Sequence, residues 1–131
     1  MRFIEISGFS IKPDRNRAFQ EWFIAHQQAL ADSYPEGTSL VGIFATIYSS
    51  EKQAGDLMVL EQLDSYAAQD RIAAAGRDPD SAYSRLVGEM YAFIDPNPAA
   101  GYSKILLKDV VDTTVFNYGP RQPDTIETTA E

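Results

Sequence analysis

The opening of the chain constrains the fold most, because a strand leads into an amphipathic helix with almost no linker. Residues 2–11 form a run of strand length that is rich in apolar and small side chains. Pro13 and Asp14 then suit the first turn of a helix, where a missing N–H and a negative charge are both tolerated. Apolar residues recur at three- and four-residue spacing as far as Leu30, which predicts a helix over residues 13–32.

The remaining elements complete the order strand, helix, strand, strand, helix, strand. The pattern predicts further strands over residues 40–49, 57–63 and 103–111, with a polar hairpin between the first two. Asp64 resembles the N-cap of a second helical region. The segment from Gly76 to Pro79 should divide that region in two, with Asp78 as the cap of its second half.

This order is the split βαβ, or ferredoxin-like, arrangement, an α+β fold with two helices on one face of a four-stranded antiparallel sheet. The second, third and fourth strands carry apolar residues on both sides, whereas strands of a sheet with one solvent-exposed face would alternate between apolar and polar residues. In the second strand, Leu40, Phe44 and Tyr48 should share one side, and Val41 and Ile43 the other. Because the helices cover only one face, we expect a homodimer in which two sheets pack together.

The length and composition of the chain limit its domain count, its partners and its location. We expect one domain over residues 1–118, in which residues 113–118 extend the last strand or form a fifth, and a polar tail over residues 119–131. A net charge of −8 disfavours nucleic acid and anionic membranes as partners. The absence of cysteine excludes disulfides and thiolate ligands. An early first strand and short apolar runs predict no signal peptide, no membrane span and a cytoplasmic location.

Three segments resemble the NIPSNAP-like domains of the dimeric α+β barrel superfamily, which is similar in fold to antibiotic-biosynthesis monooxygenases. They are residues 3–13 (FIEISGFSIKP), residues 40–44 (LVGIF) and residues 60–71 (LEQLDSYAAQDR), which lead to the Asp78-Pro79 break. Relatives read Glu-Leu-Arg where this chain has Glu5-Ile6-Ser7, so the basic residue is missing. The resemblance implies a dimer that holds ligands between sheet and helices. Because the superfamily also includes isomerases and haem enzymes, it does not assign a reaction.

Two glutamates are candidates for a general base. If Phe3 and Ile11 face the helices, alternation places Glu5 there too, and Glu61 on the third strand is positioned to share that face. A carboxylate in an apolar slot has a raised pKa and can accept a proton near neutral pH. The alternative is that each carboxylate is bonded to a Tyr, an Arg or a backbone amide, or reaches the sheet edge.

The single histidine and several aromatic residues are further candidates. His26 falls on the apolar stripe of the first helix and is either a general base, a haem ligand or a hydrogen-bonded core residue. Arg71 either pairs with a ligand carboxylate or stays a solvated surface charge. The following aromatic residues either line a ligand pocket or fill the core: Trp22, Phe44, Tyr48, Tyr83 and Tyr91. No metal-ligand cluster, P-loop or dinucleotide fingerprint is present, so neither a metal nor a cofactor is predicted.

Two functions are compatible with these features. The first is a small-molecule-binding homodimer with oxygenase or isomerase chemistry that needs no cofactor, in which Glu5 or His26 takes a proton from an aromatic or polyketide-like substrate. The second is a non-catalytic binding or assembly domain that uses the fold as a dimer scaffold. A closed pocket with converging polar groups favours the first, and a cavity filled by Trp22, Phe44 and Tyr48 favours the second.

Overall fold

The computed structural model describes residues 1–51 and 54–117 and contains a four-stranded antiparallel sheet. The strands are β1 (Phe3–Phe9), β2 (Thr38–Ala45), β3 (Leu57–Leu63) and β4 (Tyr102–Lys108). The helices are α1 (Asn16–Asp32), α2 (Ala68–Arg77) and α3 (Ala82–Tyr91), and a short 3₁₀ turn covers Pro98–Ala100. The strand order β2-β3-β1-β4 confirms the predicted ferredoxin-like arrangement.

Helix α1 begins at Asn16, later than the sequence pattern predicted. Asp14 has a φ of 65°, in the left-handed region that a right-handed helical turn cannot contain. The Arg15 amide closes a turn by donating to the Lys12 carbonyl at 3.1 Å. Pro13 and Asp14 therefore belong to the turn before α1, and their prediction as its first residues was wrong.

The second helical region is divided as predicted, but a different residue caps its second half. Helix α3 is capped by Ser81, whose hydroxyl accepts a hydrogen bond from the Ser84 amide at 2.9 Å. Asp78 is the C-cap of α2 instead, and its carboxylate accepts from the Asp80 amide at 3.0 Å. This turn uses the Asp78 side chain locally, so it is not available to cap α3.

Asp64 does not cap α2, because a turn intervenes between the end of β3 and the helix. The Ala68 amide donates to the Ser65 carbonyl at 3.1 Å, and the helix begins only at Ala68. The Asp64 carboxylate instead lies 2.6 Å from the Arg71 guanidinium. The predicted cap was therefore wrong.

A bulge in β2 decides which of its side chains face the helices. The register against β3 shifts between Leu40 and Gly42, so that Val41 is an extra residue. Beyond this point Ile43 faces the helices and Phe44 faces away from them. The prediction that Leu40 and Phe44 share a side was wrong, because strict alternation cannot anticipate an extra residue.

The segment after β4 is attached to the start of the chain. The Arg2 guanidinium lies 3.2 Å from the Asp109 carboxylate and donates to the Thr114 carbonyl at 2.9 Å. Within the described part of the chain, residues 113–117 neither extend β4 nor form a fifth strand. Residue 118 and the tail predicted at 119–131 lie outside the described residues.

The sheet is apolar on both faces, and the helices cover one of them. The core between sheet and helices contains Ile11, Phe19, Trp22, Leu30, Leu86, Met90 and Phe93. The opposite side, here called the open face, carries Ile4, Ile6, Phe44, Met58, Leu60, Ile105 and Leu107. Three of these side chains, Phe44, Ile105 and Leu107, are 42 to 51% exposed. The two-sided strands predicted from sequence are therefore present.

Gly8 provides a test of close packing at the open face. The Ser103 hydroxyl donates to the Ala54 carbonyl at 2.9 Å, and a Cβ on Gly8 would collide with that same oxygen. Gly8→Ala should therefore lower the free energy of unfolding by about 1–3 kcal/mol in urea titrations. Gly88 in α3 has open space around it, so the matched Gly88→Ala should raise stability by about 0.5–1 kcal/mol. Effects of the same sign would contradict this packing.

Candidate functional site

Two glutamates meet on the helix-facing side of the sheet. Glu5 of β1 and Glu61 of β3 are direct partners in the strand register, so their side chains project from the same face. They are only 6% and 8% exposed. Like charges directly opposite each other destabilise a sheet, and burial adds a desolvation penalty. The pair therefore requires compensating partners.

Each glutamate has partners of a different kind. The Glu5 carboxylate lies 3.1 Å from the Lys104 ammonium. It also accepts a hydrogen bond of 3.3 Å from the side-chain amide of Gln69. The Glu61 carboxylate accepts a hydrogen bond of 2.6 Å from the Tyr34 hydroxyl. Glu5 is thus paired with a cation, whereas the hydrogen-bond donor of Glu61 is neutral.

Burial is the main influence on the protonation of Glu61. Burial, with a further contribution from Glu5, raises the pKa of Glu61 to about 7 against the opposing hydrogen bond from Tyr34. Burial also raises the pKa of Tyr34, so that its hydroxyl stays protonated. The hydrogen bond to Glu5 raises the pKa of Lys104, which keeps its charge. Glu61 therefore changes protonation near neutral pH beside a fixed donor and a fixed cation.

A cavity of about 150 Å³, here called the inner cavity, covers the glutamate pair between sheet and helices. Its polar wall consists of Glu5, Ser7, Tyr34, Glu61, Tyr83, Tyr91 and Lys104. A larger cleft of about 530 Å³, here called the outer cleft, adjoins it. The two spaces share the side chains of Ser7, Phe9, Tyr91 and Lys104. A ligand reaching the glutamates can therefore extend into the outer cleft.

Trp22 and His26 lie on α1, outside the inner cavity. The Trp22 indole N–H donates to the Glu89 carboxylate at 3.1 Å. The His26 ring stacks on Trp22 at 5.0 Å between centroids, and its Nδ1 lies 2.8 Å from the Trp22 carbonyl oxygen. Neither side chain lines the inner cavity. A catalytic role for His26 stays a prediction and would require chemistry at a separate place.

The other sequence candidates divide between the cavity and the surface. Tyr83 and Tyr91 line the inner cavity. Phe44 belongs to the open face, and Tyr48, beyond the end of β2, is 86% exposed. Arg71 is engaged at the surface by Asp64. The cavity is therefore not filled by Trp22, Phe44 and Tyr48, the arrangement that would have favoured an assembly domain.

Sequence reasoning did not identify three polar residues of the site: Tyr34, Gln69 and Lys104. Lys104 is the register partner of Ser7 in β1, so the strand order would have placed it near Glu5. Tyr34 follows α1 in a turn, where no periodic pattern indicates a direction. In residues 1–51 and 54–117, no cluster of three or more His, Asp or Glu is arranged to hold a metal ion.

Glu61→Gln should change how stability depends on pH. Because the pKa of folded Glu61, about 7, lies above its value of 4.5 in the unfolded chain, the folded protein retains a proton that the unfolded chain loses. The stabilisation from that proton is complete below the unfolded pKa and is lost as pH rises through the folded one. The wild-type free energy of unfolding should therefore fall relative to Glu61→Gln by on the order of 2–3 kcal/mol over this interval.

Urea titrations between pH 4 and pH 8 measure this difference. Glu36 is exposed, so Glu36→Gln should follow the wild-type curve throughout. A constant offset between wild type and Glu61→Gln at every pH would show that Glu61 has an ordinary pKa.

Comparison with known proteins shows the fold. No family model and no curated protein matches the chain. Among solved structures, a NIPSNAP family protein from Agrobacterium tumefaciens has a TM-score of 0.60 at 11% identity, over 87% of this chain and 97% of its own. An antibiotic biosynthesis monooxygenase-like protein from Nitrosomonas europaea has a TM-score of 0.56 at 12% identity, over 86% and 93%.

A dimeric ferredoxin-like protein of unknown function from Jannaschia has a TM-score of 0.53 at 16% identity, over 82% of this chain and 99% of its own. In the described ranges, no helix has the length and apolar character needed to cross a bilayer. The chain thus has the ferredoxin-like fold of NIPSNAP and antibiotic biosynthesis monooxygenase-like proteins, which confirms at the level of the fold the resemblance seen in its sequence.

Proposed function

We propose that the protein is a homodimer that binds a small molecule in the inner cavity and exchanges a proton with it. One observation carries this proposal: two buried carboxyl groups lie side by side, and only one of them is paired with a cation. Sites of acid–base catalysis typically hold two neighbouring titratable groups in environments that give them different pKa values.

A purely structural role accounts less well for the glutamate pair. Buried charges destabilise the fold unless they are well compensated, and apolar side chains of similar size often stabilise the same position better. Tyr34 offsets only part of the burial of Glu61, whose pKa remains raised. Groups that reduce stability in a cavity are more often retained for ligand binding or catalysis than for folding.

The proposed reaction step is removal of an acidic proton by Glu61. Its pKa of about 7 suits a general base at neutral pH. Glu5 is the register partner of Glu61, and its negative charge favours the protonated form of Glu61 once the proton has been taken. Tyr34 fixes the position of Glu61, and Glu5 holds Lys104 at the cavity wall.

The walls of the cavity support an aromatic or polyketide-like substrate. Phe9, Tyr83 and Tyr91 present ring surfaces to the inner cavity. In such molecules a carboxylate base can remove a proton from a phenol O–H group or from a C–H group next to a carbonyl. Loss of that proton is a first step shared by isomerases and by oxygenases that act on an activated substrate.

The homodimer part of the proposal rests on the open face. Its apolar side chains form a continuous patch over all four strands, and the chain's own helices lie on the other side. A second copy packed sheet to sheet would remove this patch from water through a self-complementary contact. The similarity to a dimeric ferredoxin-like protein is consistent with this assembly.

Hydrogen–deuterium exchange of an enolisable ketone tests the proton-transfer step without knowledge of the natural substrate. With 2-tetralone in D₂O, the wild type should accelerate exchange of the α-protons, as followed by ¹H NMR. The rate should rise with pH as Glu61 ionises, with a midpoint near its pKa of about 7. Glu61→Gln should reduce the protein-dependent rate by at least about 100-fold, because the base is removed.

Glu36→Gln is the matched control and should leave the exchange rate unchanged, since Glu36 lies on the surface. If wild type and Glu61→Gln exchange the protons equally, Glu61 is not the base. If the ketone binds but its protons do not exchange, the alternative of a non-catalytic binding or assembly domain is favoured.

Paired substitutions test the assembly. Ile105 on the open face is 51% exposed, and Ile24 on α1 is 76% exposed. Ile105→Asp should convert the dimer to a monomer in light scattering, since a charge would be buried at the interface. Ile24→Asp should leave the mass unchanged. A monomeric wild type at micromolar concentration would contradict the dimer.

A further inference from the structure

Lys104 occupies the boundary between the inner cavity and the outer cleft. Its side chain lines both spaces and is 54% exposed, so a ligand entering from the cleft can reach it. The ammonium has three N–H donors, and Glu5 takes one of them at 3.1 Å. Lys104 is therefore a cation that can accept a second negatively charged partner.

Aromatic rings surround this boundary on the side of the outer cleft. The ring of Phe9 lies 6.4 Å from that of Tyr91 and 6.2 Å from that of Tyr102, in tilted or edge-on orientations. All three rings line the outer cleft. Such a surface suits a flat apolar molecule, whose acidic oxygen would then lie close to Lys104.

Removal of a proton by Glu61 creates a charge that must be stabilised. In a phenol the O–H bond breaks and its electron pair remains on the oxygen. In a ketone the α-C–H bond breaks, its electron pair forms the C=C bond of the enolate, and the carbonyl π pair moves to the oxygen. In both cases the proton forms a new O–H bond with the Glu61 carboxylate. The charge thus moves from Glu61 to the ligand without changing the total. A cation placed where that charge develops lowers the barrier to its formation.

We propose that Lys104 binds the anionic oxygen of an aromatic phenolate or enolate that spans the outer cleft and the inner cavity, an inference that rests on the proton-transfer function above. Lys104 is then the residue that selects acidic aromatic ligands over neutral ones of the same shape. The small inner cavity, about 150 Å³, admits the oxygen-bearing end, and the larger cleft of about 530 Å³ takes the rest.

Other titratable groups face the place where the anion would bind to Lys104, and each of them favours or disfavours that binding. Asp95 at the cleft disfavours an anion, although its carboxylate already accepts from the Asn97 amide at 2.9 Å. The remaining groups come from every element around the two spaces: Glu5, Tyr34, Glu61, Tyr83, Tyr91 and Tyr102. Lys104 is the only cationic side chain among the described residues that line the two spaces.

The probe for this test is 4-nitrophenol, whose phenolate has a distinct visible absorption, and 4-nitroanisole is its neutral counterpart. On the wild-type protein, bound nitrophenol should ionise about one pH unit lower than free nitrophenol, so the phenolate binds roughly tenfold more tightly than the phenol. Lys104→Met should remove this preference and leave nitroanisole affinity within about twofold, because the cleft walls are retained. Lys104→Arg should keep the preference, since the positive charge is kept.

Lys108→Met is the matched control, because Lys108 lies on the same strand but lines neither space. It should behave as the wild type. Phenolate preference that survives in Lys104→Met, or a wild type that binds neither probe, would overturn the assignment of Lys104.

Glu61→Gln separates this inference from the proposed function. The variant removes the base and should abolish ketone exchange, yet it should bind nitrophenolate at least as tightly as the wild type, because a neighbouring negative charge is gone. Ketone exchange that depends on Glu61, combined with no phenolate preference, would leave the proton-transfer function intact and overturn the role of Lys104.

Discussion

The site depends on one constraint, the strand register that sets Glu5 opposite Glu61. The two residues stay adjacent, because the backbone hydrogen bonds between β1 and β3 fix both Cα positions. Two carboxylates cannot remain ionised together in a buried place without help, so the surroundings must supply a cation, a donor or a proton. Lys104 supplies the cation beside Glu5, and Tyr34 supplies the hydrogen-bond donor for Glu61. The raised pKa of Glu61 allows it to keep a proton. The chemistry proposed for the cavity follows from this backbone geometry.

Much of the fold was accessible from sequence because it depends on periodic burial. The order of elements and the apolar character of both sheet faces follow from side-chain alternation, which is visible in a single chain. Element ends were less accessible. Asp14 was predicted in the first turn of α1 and Asp78 as the cap of α3, yet each belongs to a local turn outside the helix concerned.

The candidate site was only partly accessible, because it joins residues that are distant in sequence. Glu5 and Glu61 were identifiable, since each is a charged residue at a predicted inward position. Tyr34 and Lys104 required knowledge of which turn and which strand lie beside β1 and β3. His26 and Trp22 were predicted on an apolar stripe of α1, but Trp22 packs against Glu89 of α3 and Phe93 rather than over the glutamates, and His26 stacks on Trp22. A helical period identifies the buried side of α1 without identifying its neighbour.

The bulge at Val41 has a consequence for how such a chain can evolve. In a regular strand of the same length, Phe44 would turn toward the helices and Ile43 toward the open face, because side chains alternate strictly. The inserted residue reverses that assignment for the rest of β2. If β2 kept its length but paired without the bulge, Phe44 would therefore move from the open face to the side of the inner cavity, whereas deletion of Val41 would leave Ile43 and Phe44 opposite Val59 and Met58.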